Sequence, residues 1–148
     1  MVTIERLSAY STDDSIQIGK LMPLLSKRFT DSPIPESLLT EIINSPYHEQ
    51  IVARDESGSI VGAATLSETI GLGDGHEGLL DDFAVNPNIQ GQGIGHLIWR
   101  EIMAWCREKN ISELVFTSRP QKVAANRFYL KHGAVVHEST IYKVKDFS

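Results

Sequence analysis

Three glycines at alternate positions, Gly91, Gly93 and Gly95, lie between a predicted strand that ends at Val85 and a predicted helix that runs to about Asn110. The first N–H groups of a helix have no partner within the helix, and they carry positive potential. Glycines ahead of such a helix let the backbone approach an anion and adopt positive φ angles. The segment therefore predicts either a phosphate-binding loop or a tight turn that holds no ligand.

The spacing of these glycines excludes two common phosphate loops. The dinucleotide-binding pattern GxGxxG would need a glycine where His96 stands when counted from Gly91, and where Ile98 stands when counted from Gly93. A Walker loop needs lysine and then serine or threonine after its last glycine, but His96 follows Gly95. Hydrolysis of nucleoside triphosphates and nicotinamide binding are therefore poor interpretations.

The rest of the chain predicts one domain of mixed α/β class. A length of 148 residues with 41% apolar residues is enough for one hydrophobic core and too short for two. Periodicity predicts strands over residues 2–7, 49–55, 59–68, 78–85, 113–118, 134–137 and 140–145, and helices over 12–29, 35–44, about 94–110 and 121–132. The stretch 69–78, which has four glycines, is predicted to be a loop, and Gly133 is predicted to cap the last helix.

The charge of the chain is unevenly distributed. Residues 1–82 carry 14 acidic and 5 basic groups, whereas residues 83–148 carry 5 acidic and 9 basic groups, which gives the net charge of −5. Such asymmetry can attract an anion to one region and a cation to another, or the charges can simply be scattered over a solvated surface. The acidic total and the lack of a basic-aromatic pattern argue against nucleic-acid binding.

Three further features limit the function classes. No apolar run approaches the roughly 18 residues of a membrane-spanning helix, and the first residues alternate like a strand, so we expect a cytoplasmic protein that does not bind membranes. The single cysteine, Cys106, cannot form an internal disulfide or a cysteine-based zinc site. The five histidines lack metal-ligand spacing, and we predict no metal.

The segment "FAVNPNIQGQGIGHLI" resembles the acetyl-CoA-binding motif of the GCN5-related N-acetyltransferase (GNAT) superfamily. In that motif a strand and a short proline-containing turn precede the pattern Q/R-x-x-G-x-G/A, whose defining positions here are Gln90, Gly93 and Gly95. The segment "AANRFYLKHGA" resembles a later helix of the same family. The resemblance implies the GNAT fold, which is α/β (α+β) with a central mixed sheet of six to seven strands and about four helices.

The resemblance also implies how acetyl-CoA, the cosubstrate, would bind. The fourth core strand splays from the fifth in this family, and its backbone pairs with the amides of the pantetheine arm, in the manner of strand addition. The N–H groups at the start of the next helix hold the pyrophosphate. The residues implied are Phe83, Ala84, Val85 and Asn126 for the arm, and Gln90, Gly91, Gln92, Gly93, Ile94 and Gly95 for the pyrophosphate.

Acetyl transfer to an amine needs a base near the amine and an acid near the sulfur. An alkylamine has a pKa near 10.4 and must lose a proton before it attacks, and the departing thiolate leaves more readily when it is protonated. Tyr129 matches the tyrosine that many family members place beside the coenzyme sulfur, which implies that it is the acid. The alternative is a core aromatic residue that pairs with Phe128.

The base is left open between several residues. Asp81 and Asp82 interrupt an apolar strand, where carboxylates are costly to bury, and alternation along the strand lets only one of them face the acceptor. The segment "DDFAV" resembles an "EDxxV" strand of several family members and places Asp81 at the glutamate position. His76 and Glu77 are competitors, and both aspartates could instead bond backbone or a neighbouring subunit.

These residues predict an acetyl-CoA-dependent N-acetyltransferase that acetylates a primary amine directly, through a ternary complex. The acceptor can be a small amine, an amino-sugar or a protein amino group, and the acidic first half is the natural place for a cation. A noncatalytic acyl-CoA-binding sensor is the alternative, and it would not depend on Tyr129. The resemblance also allows a homodimer that forms through the C-terminal strands.

Overall fold

The computed structural model describes residues 1–89 and 91–148, which fall into two compact units, Met1–Phe116 and Thr117–Ser148. The first unit contains strands β1 (Thr3–Arg6), β2 (His48–Arg54), β3 (Ile60–Gly71), β4 (Gly75–Val85) and β5 (Leu114–Val115), and helices α1 (Thr12–Leu21), α2 (Glu36–Asn44) and α3 (Ile94–Glu108). The second unit contains helix α4 (Val123–Lys131). No described helix is long and apolar enough to cross a membrane.

The five described strands form one mixed sheet in the order β1-β2-β3-β4-β5. Neighbouring strands are antiparallel, except that β5 runs parallel to β4. On one face, Val52 and Ala63 join a core cluster that includes Ile18 of α1 and Leu39 of α2. Because side chains alternate along a strand, the fully buried Ile51 faces the other side, where α3 packs against β2 and β3.

Helix α1 is shorter than the predicted span of residues 12–29. It starts where Ser11 Oγ accepts a hydrogen bond from the Asp14 N–H at 3.1 Å, as expected for an N-cap. It ends at Leu21 and continues as a 3₁₀ helix over Met22–Leu24. Pro23 explains the change, because its ring has no N–H and would clash with a carbonyl four residues earlier in an α-helix.

The glycine-rich stretch 69–78 is not the loop that the sequence predicted. β3 runs to Gly71 and β4 begins at Gly75, and the two strands pair from Glu68 opposite Gly78 to Gly71 opposite Gly75. Gly75 has a φ of +69°, which favours glycine. The ladder of the hairpin satisfies the backbone here and overrides the low strand propensity of glycine.

The two strands predicted over residues 134–137 and 140–145 are absent from the described structure. Apolar side chains in this stretch are exposed, among them Val135, Tyr142 and Val144. A strand needs a neighbouring strand to satisfy its backbone, and no pairing is present for this segment. The described sheet therefore has five strands rather than six to seven, while the mixed class and the four helices agree with the prediction.

Candidate active site

A β-bulge at Asp82 interrupts the pairing of β3 with β4. Thr65 lies opposite Asp81, and Ala63 lies opposite Ala84. Asp82 and Phe83 therefore lie together opposite Ala64 of β3. Asp82 has a φ of +53°, in the left-handed region that non-glycine residues rarely adopt. Such a conformation costs on the order of 1 kcal/mol, and bulges of this kind re-aim side chains next to functional sites.

The bulge gives the two predicted base candidates different surroundings. Asp81 is exposed, whereas Asp82 is partly buried. Burial raises the pKa of Asp82 above its usual range; a hydrogen bond with Thr65 lowers it, and the negative charge of Asp81 raises it again. A carboxylate with a raised pKa is better matched to taking a proton near neutral pH than an ordinary surface aspartate.

His76 and Glu77, the two competitors, lie on the other half of β4. The His76 ring is paired with the Glu68 carboxylate, and the pKa of Glu77 is raised by a hydrogen bond with Asp74. His76 is six residues from Asp82, which corresponds to about 20 Å along a strand. His76 and Glu77 therefore lie near the turn that joins β3 to β4, and not in the surroundings of Asp82.

The edge of β4 that faces β5 is paired over two residues. Gly78 and Leu79 pair with Leu114 and Val115, and β4 then continues to Val85 with β3 on its other side. Among the described residues, no strand pairs with this edge of β4 beyond Leu79. Phe83, Ala84 and Val85, the residues predicted to receive the pantetheine arm, occupy this stretch, and their role stays a prediction.

The glycine loop leads from β4 into α3. A 3₁₀ helix over Pro87–Ile89 follows the strand, and Gln90, the first residue predicted to bind the pyrophosphate, lies outside the described residues. Gly91 and Gly93 have φ angles of +87° and +70°, and a Cβ at either position would meet nothing within 4 Å. Backbone conformation rather than crowding therefore requires glycine at these two positions.

Helix α3 begins without a side-chain cap. Gly93 is its N-cap, no acidic residue lies in its first turn, and its first internal hydrogen bond runs from Leu97 N–H to Gly93 O at 3.0 Å. Gly95 stands inside this first turn rather than in the loop, and Ile94 is buried, so its backbone N–H is the part of it that can reach a ligand. Such a helix start offers positive potential to an anion.

A cleft of about 540 Å³ borders the same loop in the first unit. The residues that line it are Asp13, Ile16, Gln17, Lys20, Leu21, Leu24, Ser59, Ile60, Asn86, Pro87 and Asn88. Gln17 fixes one wall, because its Oε1 accepts a hydrogen bond from the Ile60 N–H at 2.6 Å and its Nε2 donates to Asp13. The cleft places both an acidic and a basic side chain beside the end of β4.

In the second unit, α4 carries the remaining predicted residues. Asn126 and Tyr129 are three positions apart and share one face of the helix. The Asn126 Nδ2 donates to Arg119 O at 3.0 Å, and burial raises the pKa of Tyr129, which keeps its phenol protonated at neutral pH. The Tyr129 ring also contacts Phe128 edge to face, with centroids 5.9 Å apart.

The end of α4 confirms the predicted role of Gly133. Its φ is +96°, its N–H donates to Leu130 O, and the N–H of Ala134 donates to Tyr129 O. These two bonds form a Schellman motif, which satisfies carbonyl groups at the end of the helix. The motif fixes the last turn of the helix that carries Tyr129.

Two polar residues behind Asp82 were missed by the sequence reasoning. Gln50 of β2 and Thr65 of β3 are both buried, and the Thr65 hydroxyl donates to Gln50 Oε1 at 2.8 Å. Thr65 lies within an apolar run, where a polar side chain is a signal in itself, and Gln50 directly precedes Ile51, Val52 and Ala53. The signal could not be interpreted without the register of the strands, which determines which side chains lie opposite each other.

Neither a metal site nor a reactive cysteine is found in the described part of the chain. No group of three or more His, Cys, Asp and Glu side chains there could hold a metal ion. Burial raises the pKa of the Cys106 thiol, although the charge of Arg107 lowers it. A raised pKa reduces the thiolate fraction that an acyl-cysteine intermediate would require.

Most of the chain matches the model of a known protein family. A family model described as the acetyltransferase (GNAT) family matches residues 19–134. No curated protein matches the sequence. The match contains the glycine loop, the bulge at Asp82 and helix α4.

Several solved structures share the fold over nearly the full chain. An aminoglycoside acetyltransferase from an uncultured soil metagenomic sample has a TM-score of 0.81 at 23% identity and covers 99% of this chain and 97% of its own. A transcriptional regulator from Bacillus halodurans C-125 has a TM-score of 0.84 at 23% identity, over 98% of this chain and all of its own. Glucosamine-6-phosphate N-acetyltransferase from Arabidopsis thaliana has a TM-score of 0.78 at 19% identity, over 100% and 99%. At such identities the likeness shows the fold alone.

Proposed function

Because the chain belongs to the acetyltransferase (GNAT) family, we propose that it transfers an acetyl group from acetyl-CoA directly to a primary amine in a ternary complex. The observation that carries the proposal is the start of α3, where Gly91 and Gly93 take positive φ angles ahead of an uncapped helix. This arrangement suits a diphosphate, because backbone N–H groups and the helix dipole act on the same anion.

The cosubstrate would extend from this helix start along β4. We propose that the N–H groups between Gly91 and Gly95 hold the diphosphate, with Gln90 at the entrance of the loop. We propose that the backbone of Phe83, Ala84 and Val85 then bonds the pantetheine amides by strand addition, as the family resemblance implies. The side chain of Ala84 is buried in the core and would take no part.

Asp82 is our choice for the base and Tyr129 for the acid. The amine first gives a proton to Asp82, directly or through water, and its nitrogen then attacks the thioester carbonyl carbon. The C–S bond breaks as the N–C bond is completed, and the Tyr129 O–H protonates the departing sulfur. The nitrogen gives its second proton to water, and the tyrosinate takes a proton from water, which restores the phenol. The raised pKa values of both groups support these roles, since Asp82 can take a proton near neutral pH and Tyr129 arrives protonated.

The acceptor class is a small amine, an amino-sugar or a protein amino group. Amino-sugars are the first compounds to test, because two proteins that share the fold are named as acetyltransferases of an aminoglycoside and of glucosamine 6-phosphate. At 23% and 19% identity these names guide the choice of compounds and carry no assignment.

The test is release of free thiol from acetyl-CoA, measured against a panel of amines that contains amino-sugars, small alkylamines and lysine peptides. We expect release with at least one amine class and little release without an amine. Binding of acetyl-CoA without turnover on any amine would contradict the proposed acetyltransferase activity and favour the noncatalytic acyl-CoA-binding sensor. The Asp82→Asn variant serves as the matched inactive control.

A further inference from the structure

The cleft that borders the glycine loop is formed largely by one side of α1. The first residues of β3 and the turn that follows β4 form its other walls. Its volume of about 540 Å³ is ordinary for a small-molecule site, which measures about 300–1,000 Å³. The residues that α1 and its 3₁₀ continuation contribute have helical spacing and share one side, and they are Asp13, Ile16, Gln17, Lys20, Leu21 and Leu24.

Two amide side chains of the cleft have their acceptor atoms already occupied. Gln17 Oε1 accepts from the Ile60 N–H at 2.6 Å, and Asn86 Oδ1 accepts from the Asn88 N–H at 3.0 Å. A side-chain amide also has two N–H donors. Gln17 Nε2 uses one of its donors for Asp13, and Asn86 Nδ2 has no bond to any described residue. The two amides therefore offer donors, and not acceptors, to a ligand.

Lys20 adds a positive charge to the same cleft. Its side chain is exposed, and within the described ranges no ion pair or hydrogen bond engages its ammonium group. The carboxylate of the cleft, Asp13, lies seven residues earlier on α1, which is about 10 Å along the helix. It already accepts a hydrogen bond from Gln17. A cleft that offers an ammonium group and amide donors suits an anion.

The cleft lies on the side of the sheet that α1 covers. The core on this face includes Ala84 of β4, and the 3₁₀ helix that continues α1 contacts β4. Helix α3, at whose start the diphosphate would bind, packs on the other face. Asn86 is four residues beyond Asp82, at most about 13 Å along an extended chain. A molecule whose amine lies at Asp82 can therefore reach this cleft with its far end.

We propose that the acceptor carries an anionic group remote from its amine, such as a phosphate monoester, and that Lys20 and Asn86 bind this group in the cleft. The inference deepens the proposed acetyl transfer and rests on it. Asp81 and Asp82 attract the ammonium form of the amine, and Lys20 attracts the anion, so the charges match an acceptor with both groups. A polycationic amine would place a further positive charge beside Lys20 and bind less well.

The proposal is tested with amines that differ only in a phosphate group. The pairs are glucosamine 6-phosphate with glucosamine, and O-phosphoethanolamine with ethanolamine, all at saturating acetyl-CoA. In at least one pair we expect kcat/KM for the phosphorylated amine to be about tenfold higher or more, the effect of one hydrogen bond between charged groups. Equal or lower values for the phosphorylated amine in both pairs would overturn the inference.

Variants of the cleft show whether the preference for phosphate arises there. Lys20→Met should reduce the preference about tenfold, mainly through KM, and Lys20→Arg should keep most of it. Asn86→Asp should also reduce it, because the aspartate still accepts from the Asn88 N–H but presents a negative oxygen instead of Nδ2. The matched control is Lys27→Met, since Lys27 is exposed and does not line the cleft. An unchanged preference in Lys20→Met, or an equal loss in Lys27→Met, would contradict the proposal.

Calorimetry separates this inference from the proposed function. Binding of glucosamine 6-phosphate that Lys20→Met weakens, without thiol release from any amine, would reject acetyl transfer and leave the anion site in the cleft intact. Thiol release with no preference for the phosphorylated amines would do the reverse. A loss of affinity for coenzyme A in Lys20→Met that is absent with dephospho-coenzyme A would assign the cleft to the 3′-phosphate of the coenzyme and overturn the inference.

Discussion

Among single residues, Asp82 and Asp81 form a natural matched pair, because they are adjacent carboxylates with opposite exposure. Asp82→Asn should lower kcat by about 100-fold or more, in the range of general-base catalysis, whereas Asp81→Asn should change it by little. In the parent enzyme kcat/KM should fall as the pH falls through the raised pKa of Asp82, since protonation removes the base. Steady-state kinetics across pH check both points.

Two results with these variants would contradict the assignment of Asp82 as the sole base. A large loss in Asp81→Asn with an active Asp82→Asn would place the base at the exposed aspartate, as the family resemblance of "DDFAV" implied. Loss of activity in both variants with unchanged folding would mean that the two carboxylates act together.

Tyr129 is the second residue whose role can be isolated. Tyr129→Phe should lower kcat by about 100-fold, because the sulfur would leave as an unprotonated thiolate, while the dissociation constant of acetyl-CoA should stay within about twofold. Tyr142→Phe is the control in the same unit, since Tyr142 is 87% exposed. Equal turnover in Tyr129→Phe and the parent would remove the tyrosine from the mechanism.

At the scale of elements, the start of α3 depends on the conformation of Gly93. Gly93→Ala should destabilise the protein by about 1 kcal/mol, because an alanine at a φ of +70° is strained even in open space. It should also weaken acetyl-CoA binding, since relief of the strain moves the N–H groups. Gly73→Ala is the matched control, with open space and no positive φ. Chemical unfolding measures the stability, and calorimetry measures the affinity for acetyl-CoA. Equal stability and equal affinity in Gly93→Ala and Gly73→Ala would contradict the prediction.

Helix α1 offers a test of how its connection to α2 is held. A Cβ at Gly19 would lie 2.1 Å from the carbonyl oxygen of Ser32, and this backbone cannot move aside as a side chain can. Gly19→Ala should therefore destabilise the protein by about 1–3 kcal/mol, although alanine in a helix normally stabilises by about 1 kcal/mol. Gly71→Ala, which meets nothing within 4 Å, is the control. A stabilised Gly19→Ala in urea unfolding would show that the Ser32 backbone does not pack there.

Helices and strands could be predicted where the sequence signal lies in neighbouring residues. The amphipathic pattern of α3 and the cap at Gly133 could be read from neighbouring residues, and both are confirmed. Pro23 was also a local signal, and neglecting it made the prediction of α1 too long. The hairpin at 69–78 and the length of β5 depend on pairing with distant strands, which composition does not report.

At the scale of the whole molecule, the sequence predicted the mixed class and the order of the elements as far as α4. It did not predict the buried polar residues of the candidate site or the bulge at Asp82. The difference between Asp81 and Asp82 arises from a bulge, and the bulge arises from the register of β4 on β3. Simple alternation along β4 could not foresee it. The pairing of Gln50 with Thr65 needs the register of a third strand in addition.

Part of the charge asymmetry also has a structural use. Arg54 pairs with Asp14 and Glu5, which ties β2 to α1 and β1. Arg6 pairs with Glu101 and Glu108 of α3. Two acidic side chains of the first half, Glu5 and Asp14, are therefore engaged in holding the fold, and they are less available to attract a cationic acceptor.

The most direct test of the central claim is a calorimetric titration of the purified protein with coenzyme A and acetyl-CoA. We predict one saturable site, and a loss of at least about tenfold in affinity for acetyl-pantetheine, which lacks the diphosphate that the start of α3 would hold. No measurable binding of coenzyme A in its free or acetylated form would contradict the assignment of this helix start as a diphosphate site, and with it the proposed acetyl transfer.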